Sequence, residues 1–346
     1  MKFGLFLGVW ENPNARNDTH SILREVIDYV VRAEALGYRS AFFTEHHFTG
    51  LPQIPSTMMV LSHLAARTSR MRLGTAVIIL PWHNPLLIAE EIATLDLLSD
   101  GRFDCGIGRG FRFTECQGFG IPGEELGERF DEAVEVLEKA WAAPGRFSHQ
   151  GKHWRFTDAM IDPRAVQEPH PPVWVAVGSD GSVRKTAAQG YNILLDQFSD
   201  SQQIADRIAV FRQAVEATGQ TFDPMRVGVS RAFHITDSAA ETREALKHHH
   251  NVLSNNRKLS SDPNSAGGPL YRPPTATGDA EDTWLIGTRE QIVRRLHALK
   301  AGGVEYVLLL DTSGDVKSLE RFASEIMPQF DDEARAAPQA LRARSV

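Results

Sequence analysis

The sequence has few cysteines, no cluster of basic residues and no long apolar run, and each of these shortages excludes a class of protein. Its two cysteines, Cys105 and Cys116, are too few for a disulfide framework and lack the spacing of a metal site. The 37 basic and 44 acidic residues give a net charge of −7 at pH 7, which argues against a nucleic-acid-binding surface. No apolar stretch reaches membrane-spanning length.

The composition is otherwise that of an ordinary globular protein. Of the 346 residues, 42% are hydrophobic and 23% are charged, and the chain is long enough to bury a large core. The amino terminus enters a strand-like segment directly, without the apolar core of a signal peptide. We therefore expect a cytoplasmic protein with no membrane partner and no nucleic-acid partner.

Short apolar segments alternate with amphipathic segments along nearly the whole chain. The apolar segments, such as Ser40–Thr44 and Phe103–Gly108, predict about eight strands, and the segments between them predict helices. This alternation is typical of parallel βαβ units, and the length favours one closed (β/α)₈ TIM barrel over two Rossmann halves. We expect a single barrel domain over residues 1–330 with insertions at about 144–170 and 254–284, and a flexible tail over 331–346.

Local signals place several boundaries inside this pattern. Asn84 and Pro85 are predicted to begin one helix, and Ser199 is the predicted cap of another. Gly151 lies at the centre of a predicted hairpin. The segment Ser254–Asp282, dense in Ser, Asn, Gly and Pro, is predicted to be the least structured part of the chain.

Three predicted strand ends carry residues that suit binding or catalysis. Glu45-His46-His47 follows the second strand, Arg109 follows the strand that contains Gly106 and Gly108, and the small residues Gly178–Ser182 follow Val173–Val177. In a parallel barrel, ligands bind at the carboxyl ends of the strands. An arginine fork and the free amides ahead of a helix both suit phosphate. Together these ends predict a phosphate-bearing aromatic cofactor beside a proton-transfer histidine.

Glycines within the strand before Arg109 remove side chains, so a large group is expected to approach that backbone closely. Each feature also has a plainer interpretation. Arg109 can form a structural ion pair, Gly178–Ser182 can be only a turn with a helix cap, and the glycines lack the spacing of a dinucleotide-binding motif. His248–His250 are predicted to lie on a solvated helix face, because consecutive residues do not face one another.

Short strings along the chain, taken in order and with their spacing, resemble the bacterial luciferase-like, flavin-dependent monooxygenases. The resemblance runs from Met1 to about Phe330. The strings that carry it are Lys2-Phe3-Gly4, Glu45–Phe48, Leu73–Val77, Leu95-Asp96, Gly101–Phe103, Gly106–Gly110, Pro172–Val175, Ala187–Gly190, Ile286–Thr288 and Met327-Pro328.

The resemblance implies a barrel that binds FMN at the carboxyl ends of its strands. Reduced FMN would react with O₂ to give a C4a-peroxyflavin, which oxidises an organic substrate. His46 matches the active-site histidine, a base or hydrogen-bond partner near the reactive edge of the flavin. Arg109 matches the phosphate-binding arginine, and Ser179 and Ser182 match the phosphate turn, aided by the amides of Gly178 and Ser179.

Two further parts of the chain take on roles through the resemblance. The Ala76-Val77 peptide bond matches one that is cis in the luciferase subunit and lies against the isoalloxazine ring. The Ser254–Asp282 segment matches the mobile loop that covers the site. The luciferase subunit carries a cysteine at the position of Gly108, a glutamate at that of Gly178 and a tryptophan near that of Gln197, so light emission is not expected.

We therefore predict a two-component FMN-dependent monooxygenase, supplied with reduced FMN by a separate flavin reductase. The predicted substrate is a small or medium apolar organic molecule. A deazaflavin-dependent hydride-transfer enzyme and a flavin-binding storage protein without catalytic activity stay open as alternatives. The predicted substrate pocket is lined by Trp10, Phe111, Gln197, Phe198 and Trp284.

The apolar breadth of two predicted helices, Ser56–Ala66 and Pro85–Leu98, adds an expectation about assembly. Their apolar side chains extend over more than one face, so they are most simply core with room for a helix–helix contact between subunits. Together with the family resemblance, this breadth predicts a homodimer.

Overall fold

The computed structural model describes residues 1–8, 19–50, 53–260 and 283–331. Trp10 of the predicted substrate pocket lies outside the described residues. So do residues 261–282 of the predicted covering loop and residues 332–346 of the predicted tail.

The described strands follow the apolar segments of the sequence. In chain order they are β1 (Lys2–Leu7), β2 (Ser40–Phe43), β3 (Arg72–Thr75), β4 (Ile78–Ile79), β5 (Phe103–Gly108), β6 (Phe147–Gln150), β7 (Arg155–Ala159), β8 (Val173–Ala176), β9 (Asn192–Leu195), β10 (Val227–Ile235), β11 (Leu285–Gly287) and β12 (Tyr306–Asp311).

The described helices occupy the amphipathic segments between them. They are α1 (Thr19–Ala35), α2 (Thr57–Ala65), α3 (Pro85–Leu98), α4 (Phe113–Phe119), α5 (Leu126–Ala142), α6 (Asp180–Ala188), α7 (Ser201–Ala217), α8 (Ala239–Leu259), α9 (Arg289–Ala301) and α10 (Val316–Arg321).

Eight of the strands close into a parallel barrel, as predicted. The ring runs β1–β2–β3–β5–β8–β9–β10–β12 and returns to β1, and every neighbouring pair in it is parallel. β4 pairs with β5 beyond the end of β3, and β11 pairs with the outer part of β10. β6 and β7 form the predicted antiparallel hairpin within the 144–170 insertion.

Side chains alternate along the barrel strands between two apolar layers. In β2, Ala41 and Phe43 belong to the large cluster shared with the surrounding helices. Phe42, between them, belongs to a smaller cluster with Trp174, Leu194, Tyr306 and Leu308. The smaller cluster fills the barrel interior with packed side chains, so the carboxyl ends of the strands lie above a closed core.

Two helix boundaries differ from the predictions. Ser199 does not cap α7; Asp200 does, because its carboxylate accepts a hydrogen bond from the Gln203 backbone N–H and Gln203 reaches back to the Asp200 N–H. Helix α8 continues to Leu259, so the predicted insertion at 254 begins too early. No glycine or proline interrupts residues 254–259, and their polar composition alone does not end a helix.

Other helix ends agree more closely with the sequence signals. Asn84 caps α3 by accepting a hydrogen bond from the Leu86 backbone N–H, and Pro85 occupies the first turn. Helix α10 is followed by a π-helical turn, Phe322–Ile326, and a 3-10 turn, Met327–Phe330. Helix α4 was not predicted from the sequence.

Candidate functional site

A cavity of about 1290 Å³ opens at the carboxyl ends of the barrel strands. The strand-end residues that line it include Gly8, Thr44–His46, Ala76, Val77, Arg109–Arg112, Gly178, Ser179, Asp196–Phe198 and Asp311. The three strand ends singled out from the sequence therefore meet in one cavity. Pockets for a single small ligand measure about 300–1,000 Å³, so this one has room for a cofactor and a second molecule.

His46 follows β2, and a buried carboxylate fixes its imidazole ring. Nδ1 of His46 lies 2.9 Å from Oε1 of Glu115, and the same oxygen accepts a 3.1 Å hydrogen bond from the His47 backbone N–H. The Glu115 side chain is fully buried, whereas that of His46 is 13% exposed and lines the cavity. A carboxylate at Nδ1 holds the proton of the neutral imidazole there and leaves Nε2 as an acceptor.

The surroundings of His46 keep its imidazole uncharged. Burial lowers the pKa of His46 below its ordinary value, and the positive charge of Arg112 acts in the same direction. The hydrogen bond to Glu115 raises the pKa but does not offset these effects. At neutral pH the ring is therefore neutral and able to accept a proton at Nε2.

Glu45, the neighbour of His46, has a different place in the structure. Its buried carboxylate accepts hydrogen bonds at 2.7 Å from both His47 and His83, and one at 3.1 Å from the Ile79 backbone N–H. Burial raises the pKa of Glu45, but these bonds outweigh that effect and hold it below its usual range. Glu45 thus connects the end of β2 with β4 and the turn after it, and it orients the loop that carries His46.

Arg109 and the start of α6 line the same cavity. The Arg109 side chain is exposed, and within the described ranges it makes no ion pair, so the structural-pair interpretation does not apply there. Ser179 caps α6 in a reciprocal box with Ser182, whose hydroxyl lies 3.1 Å from the Ser179 backbone N. The helix-cap interpretation is thus correct, but it does not exclude a phosphate, because a helix N-terminus still presents backbone N–H groups.

Two glycines of β5 make room for protein rather than for a ligand. A Cβ atom on Gly106 would lie 1.7 Å from the Thr75 carbonyl oxygen, and one on Gly108 would lie 2.3 Å from Cγ2 of Val77. The expectation that these positions admit a large molecule is therefore wrong on the side where a side chain would point. The glycines let the Ala76-Val77 segment pack against β5, and its peptide bond is cis, as the resemblance implies.

Four of the five predicted substrate-pocket residues line the cavity: Phe111, Gln197, Phe198 and Trp284. The Phe111 ring stands edge-on to His46 at 6.5 Å between centroids. Trp284 is buried and stands edge-on to His249 at 4.7 Å. Their contact with a substrate stays a prediction, and Trp10 lies outside the described residues.

His249 contradicts the prediction of a solvated histidine face. Its side chain is buried, lines the cavity and has a pKa lowered by burial to about 4. His248 and His250 beside it are exposed. A signal was present in the sequence, because Ala245, His249 and Leu253 recur every four residues and so share one helix face.

Arg112 and Glu115 were not predicted as site residues. Arg112, just before α4, lines the cavity, and Glu115, in the first turn of α4, contacts His46. The only signal was a pair of opposite charges three residues apart after the Arg109 strand end. Within the described ranges, no three His, Cys, Asp or Glu side chains are grouped so as to hold a metal ion. Nor does any helix in the described part of the chain combine the length and apolar character needed to cross a membrane.

Known proteins resemble this chain in sequence and in fold. The model of the luciferase-like monooxygenase family matches residues 1–306. The oxygenase component of flavin-dependent trigonelline monooxygenase from Acinetobacter baylyi is 26% identical, with 96% of each chain covered. F420-dependent glucose-6-phosphate dehydrogenase from Intrasporangium calvum is 33% identical over 54% of this chain and 57% of that protein.

Among solved structures, monooxygenase RslO1 from Streptomyces bottropensis superposes with a TM-score of 0.81 at 26% identity, covering 95% of this chain and 100% of that one. The named relatives are monooxygenases and other oxidoreductases, which confirms the prediction of an oxidoreductase enzyme. By its barrel and by the match over residues 1–306, the chain belongs to the luciferase-like monooxygenase family.

Proposed function

We propose that this chain is the oxygenase component of a two-component monooxygenase that uses reduced FMN and O₂ to oxidise an organic substrate. One observation carries the proposal. A single cavity is lined both by Arg109 with the Ser179–Ser182 turn and by His46, whose ring the buried Glu115 holds.

The residues of the cavity fit FMN, which combines a phosphate with a flat aromatic ring system. Arg109, exposed and unpaired within the described ranges, and the start of α6 suit the phosphate. Ala76, Val77 and Ile107 offer an apolar wall to the ring system. When bound, reduced FMN supplies the electrons that activate O₂.

His46 is the residue proposed to move a proton in the reaction. Its neutral imidazole presents Nε2 as an acceptor, while Glu115 holds the proton at Nδ1 and so sets the orientation of the ring. Helix α8 helps to enclose this region, since His249, Leu253 and Asn256 line the cavity. The covering role predicted for Ser254–Asp282 stays a prediction, because residues 261–282 lie outside the described residues.

The proposal includes partners that the family relatives suggest. The relative from Acinetobacter baylyi is named as an oxygenase component, so a separate flavin reductase is proposed as the source of reduced FMN. We also propose a homodimer through α2 and α3, because Met59, Leu87 and Leu98 on these helices are exposed apolar side chains. A monomer mass by light scattering would contradict it. A cytoplasmic location stays a prediction.

A deazaflavin-dependent oxidoreductase is the second candidate. The observation that favours it is the 33% identity to the F420-dependent dehydrogenase from Intrasporangium calvum. The two candidates differ in the cofactor that the cavity selects, because a deazaflavin transfers hydride and does not activate O₂.

An anaerobic titration with reduced FMN and with reduced deazaflavin, side by side, tests the proposal. Reduced FMN is expected to bind more tightly, and Arg109→Ala is expected to weaken it about tenfold or more, as the loss of charge-assisted hydrogen bonds requires. The matched control is Arg39→Ala, an exposed arginine at the opposite end of the barrel, before β2. Unchanged FMN affinity in Arg109→Ala would remove the phosphate assignment.

Mixing the bound, reduced protein with O₂ tests the chemistry. A transient near-UV absorbance that decays to oxidised FMN is expected, and His46→Ala should bind FMN normally while changing the rate of that decay. Selective binding of the deazaflavin would support the second candidate. Tight FMN binding without any influence on its reaction with O₂, in wild type and variant alike, would indicate a storage protein.

A further inference from the structure

Arg112 is a buried cation whose guanidinium group lacks most of its hydrogen-bond partners. It precedes α4, lines the cavity and is only 4% exposed. Its Nε and Nη1 atoms have no hydrogen-bond partner, and Nη2 has one long contact of 3.4 Å to the amide oxygen of Asn256. Within the described ranges, no carboxylate forms an ion pair with it. The charge of Glu115 attracts Arg112, but the hydrogen bonds of that carboxylate go to His46 and to the His47 backbone N–H.

A buried guanidinium in this condition is costly, because burial removes its hydration and an arginine side chain does not give up its proton in a protein. The amide of Asn256 is neutral and cannot balance the charge. Proteins retain a buried, unpaired guanidinium where a bound ligand supplies the missing partner. Leaving a buried charge without a partner costs more free energy than leaving a neutral hydrogen bond unformed.

The position of Arg112 connects it with the reacting region. Glu115, on the short helix that follows Arg112, holds His46, and the charge of Arg112 is close enough to influence that ring. Helix α8 meets Arg112 at Asn256 and, seven residues earlier, carries His249 against Trp284. At a rise of about 1.5 Å per residue, these two points of α8 lie roughly 10 Å apart along the cavity wall.

We propose that Arg112 binds a carboxylate group of the substrate, so that the substrate combines an apolar body with one negative charge. This inference rests on the proposed function, because it names the substrate class of the same site. A ligand carboxylate can accept hydrogen bonds from the unpartnered Nε and Nη1 atoms of Arg112, which Glu115 does not do. The features suited to phosphate, Arg109 and the start of α6, are separate residues. The predicted apolar substrate is thereby refined to an amphipathic one.

The remaining wall of the cavity agrees with a substrate of mixed polarity. Aromatic and apolar side chains alternate there with buried polar atoms that have no partner, namely Oε1 of Gln197, Oγ of Ser230 and Nε1 of Trp284. These atoms can form neutral hydrogen bonds with the body of a ligand. These three atoms carry no formal charge, whereas Arg112 is positively charged. Arg112 is therefore the residue that selects an anionic ligand.

Calorimetric titration with benzoate and with its neutral counterpart benzamide tests the proposal, in the presence and absence of saturating oxidised FMN. Wild type is expected to bind benzoate at least about tenfold more tightly than benzamide, as a charge-assisted bond to a buried cation implies. Arg112→Met should abolish this preference while leaving the benzamide affinity near that of wild type. Arg112→Lys, which keeps the charge but loses the planar fork, should retain part of it.

Equal affinities for benzoate and benzamide in wild type, or absence of benzoate binding, would overturn the proposal. So would a preference that survives in Arg112→Met, or an Arg112→Met protein that loses FMN binding instead, which would assign the residue to the phosphate. Circular dichroism checks that the variants fold, and Arg112→Lys decides the matter if Arg112→Met does not. A benzoate preference without FMN binding would instead retain this site and contradict the proposed cofactor.

Discussion

The replacement Glu115→Gln tests whether the carboxylate beside His46 controls the proton affinity of that ring. One oxygen of Glu115, Oε1, accepts both hydrogen bonds, from His46 Nδ1 at 2.9 Å and from the His47 backbone N–H at 3.1 Å. The other oxygen, Oε2, is buried without a partner. Glutamine keeps an oxygen for the two bonds and replaces the unpartnered oxygen with an NH₂ group, so the geometry survives and the charge is removed.

The replacement has a small effect on the stability of the fold and a clear effect on the pKa of His46. Turning two charge-assisted bonds into neutral ones removes about 1 kcal/mol each, and removing a buried, half-partnered carboxylate returns a similar amount. Arg112 also loses the attraction of the Glu115 charge, so the free energy of unfolding should fall by about 1–2 kcal/mol. The imidazolium form of His46, in contrast, loses the negative charge that stabilises it, so its pKa should fall further below the ordinary value.

Nitrogen NMR of selectively labelled histidine measures both the protonation and the tautomer of His46, with His46→Asn used to assign its signals. Wild type and Glu115→Gln should share the Nδ1-protonated neutral tautomer, and the variant should become protonated only at lower pH. Glu115→Ala, which removes the acceptor of both bonds, should lose the single tautomer and about 2–5 kcal/mol of stability. Identical His46 titrations in wild type and Glu115→Gln would refute this reasoning.

Two further predictions concern stability. Gly106→Ala should destabilise the fold by about 1–3 kcal/mol or more in urea unfolding, because the new Cβ would lie 1.7 Å from the Thr75 carbonyl oxygen. The control Gly145→Ala, with open space at its Cβ, should leave the stability unchanged. Equal stabilities of the two variants would contradict the packing argument. Burial raises the pKa of Asp311, which accepts a hydrogen bond from Tyr29, to about 6. The folded state thus binds its proton more tightly than the unfolded state, so this group's contribution to stability is full below about pH 4 and is lost as the pH rises to about 6. Asp311→Asn should flatten the fall of stability across that window, and an unchanged slope would exclude the assignment.

Much of the fold and part of the candidate site follow from the sequence by itself. The alternation of apolar and amphipathic segments predicted the parallel barrel, because period-two and period-3.6 patterns report which faces of strands and helices are buried. A closed parallel barrel puts every carboxyl strand end on one side. The chain positions of His46, Arg109 and Ser179 were therefore enough to predict that they line one cavity.

Tertiary structure decided the features that depend on contact between distant segments. From the sequence, Gly106 and Gly108 were expected to leave space for a ligand, but in the structure Thr75 and Val77 occupy the space beside them. From the sequence, His249 was expected to be solvated, but in the structure α8 packs it against Trp284. Burial and hydrogen-bond partners belong to pairs of segments, and a local pattern contains only one member of each pair.

The same distinction separates the two arginines near the site. Arg109 could be recognised from its strand end, because a position at the carboxyl edge of a barrel is itself informative. Arg112 could not, because its guanidinium is buried with two nitrogen atoms that lack hydrogen-bond partners. Only the contact between the start of α4 and α8 creates that condition. The sequence thus determined the barrel and the end of the barrel where the candidate site lies. The tertiary structure decided which charged groups at that end lack a partner that a ligand can supply.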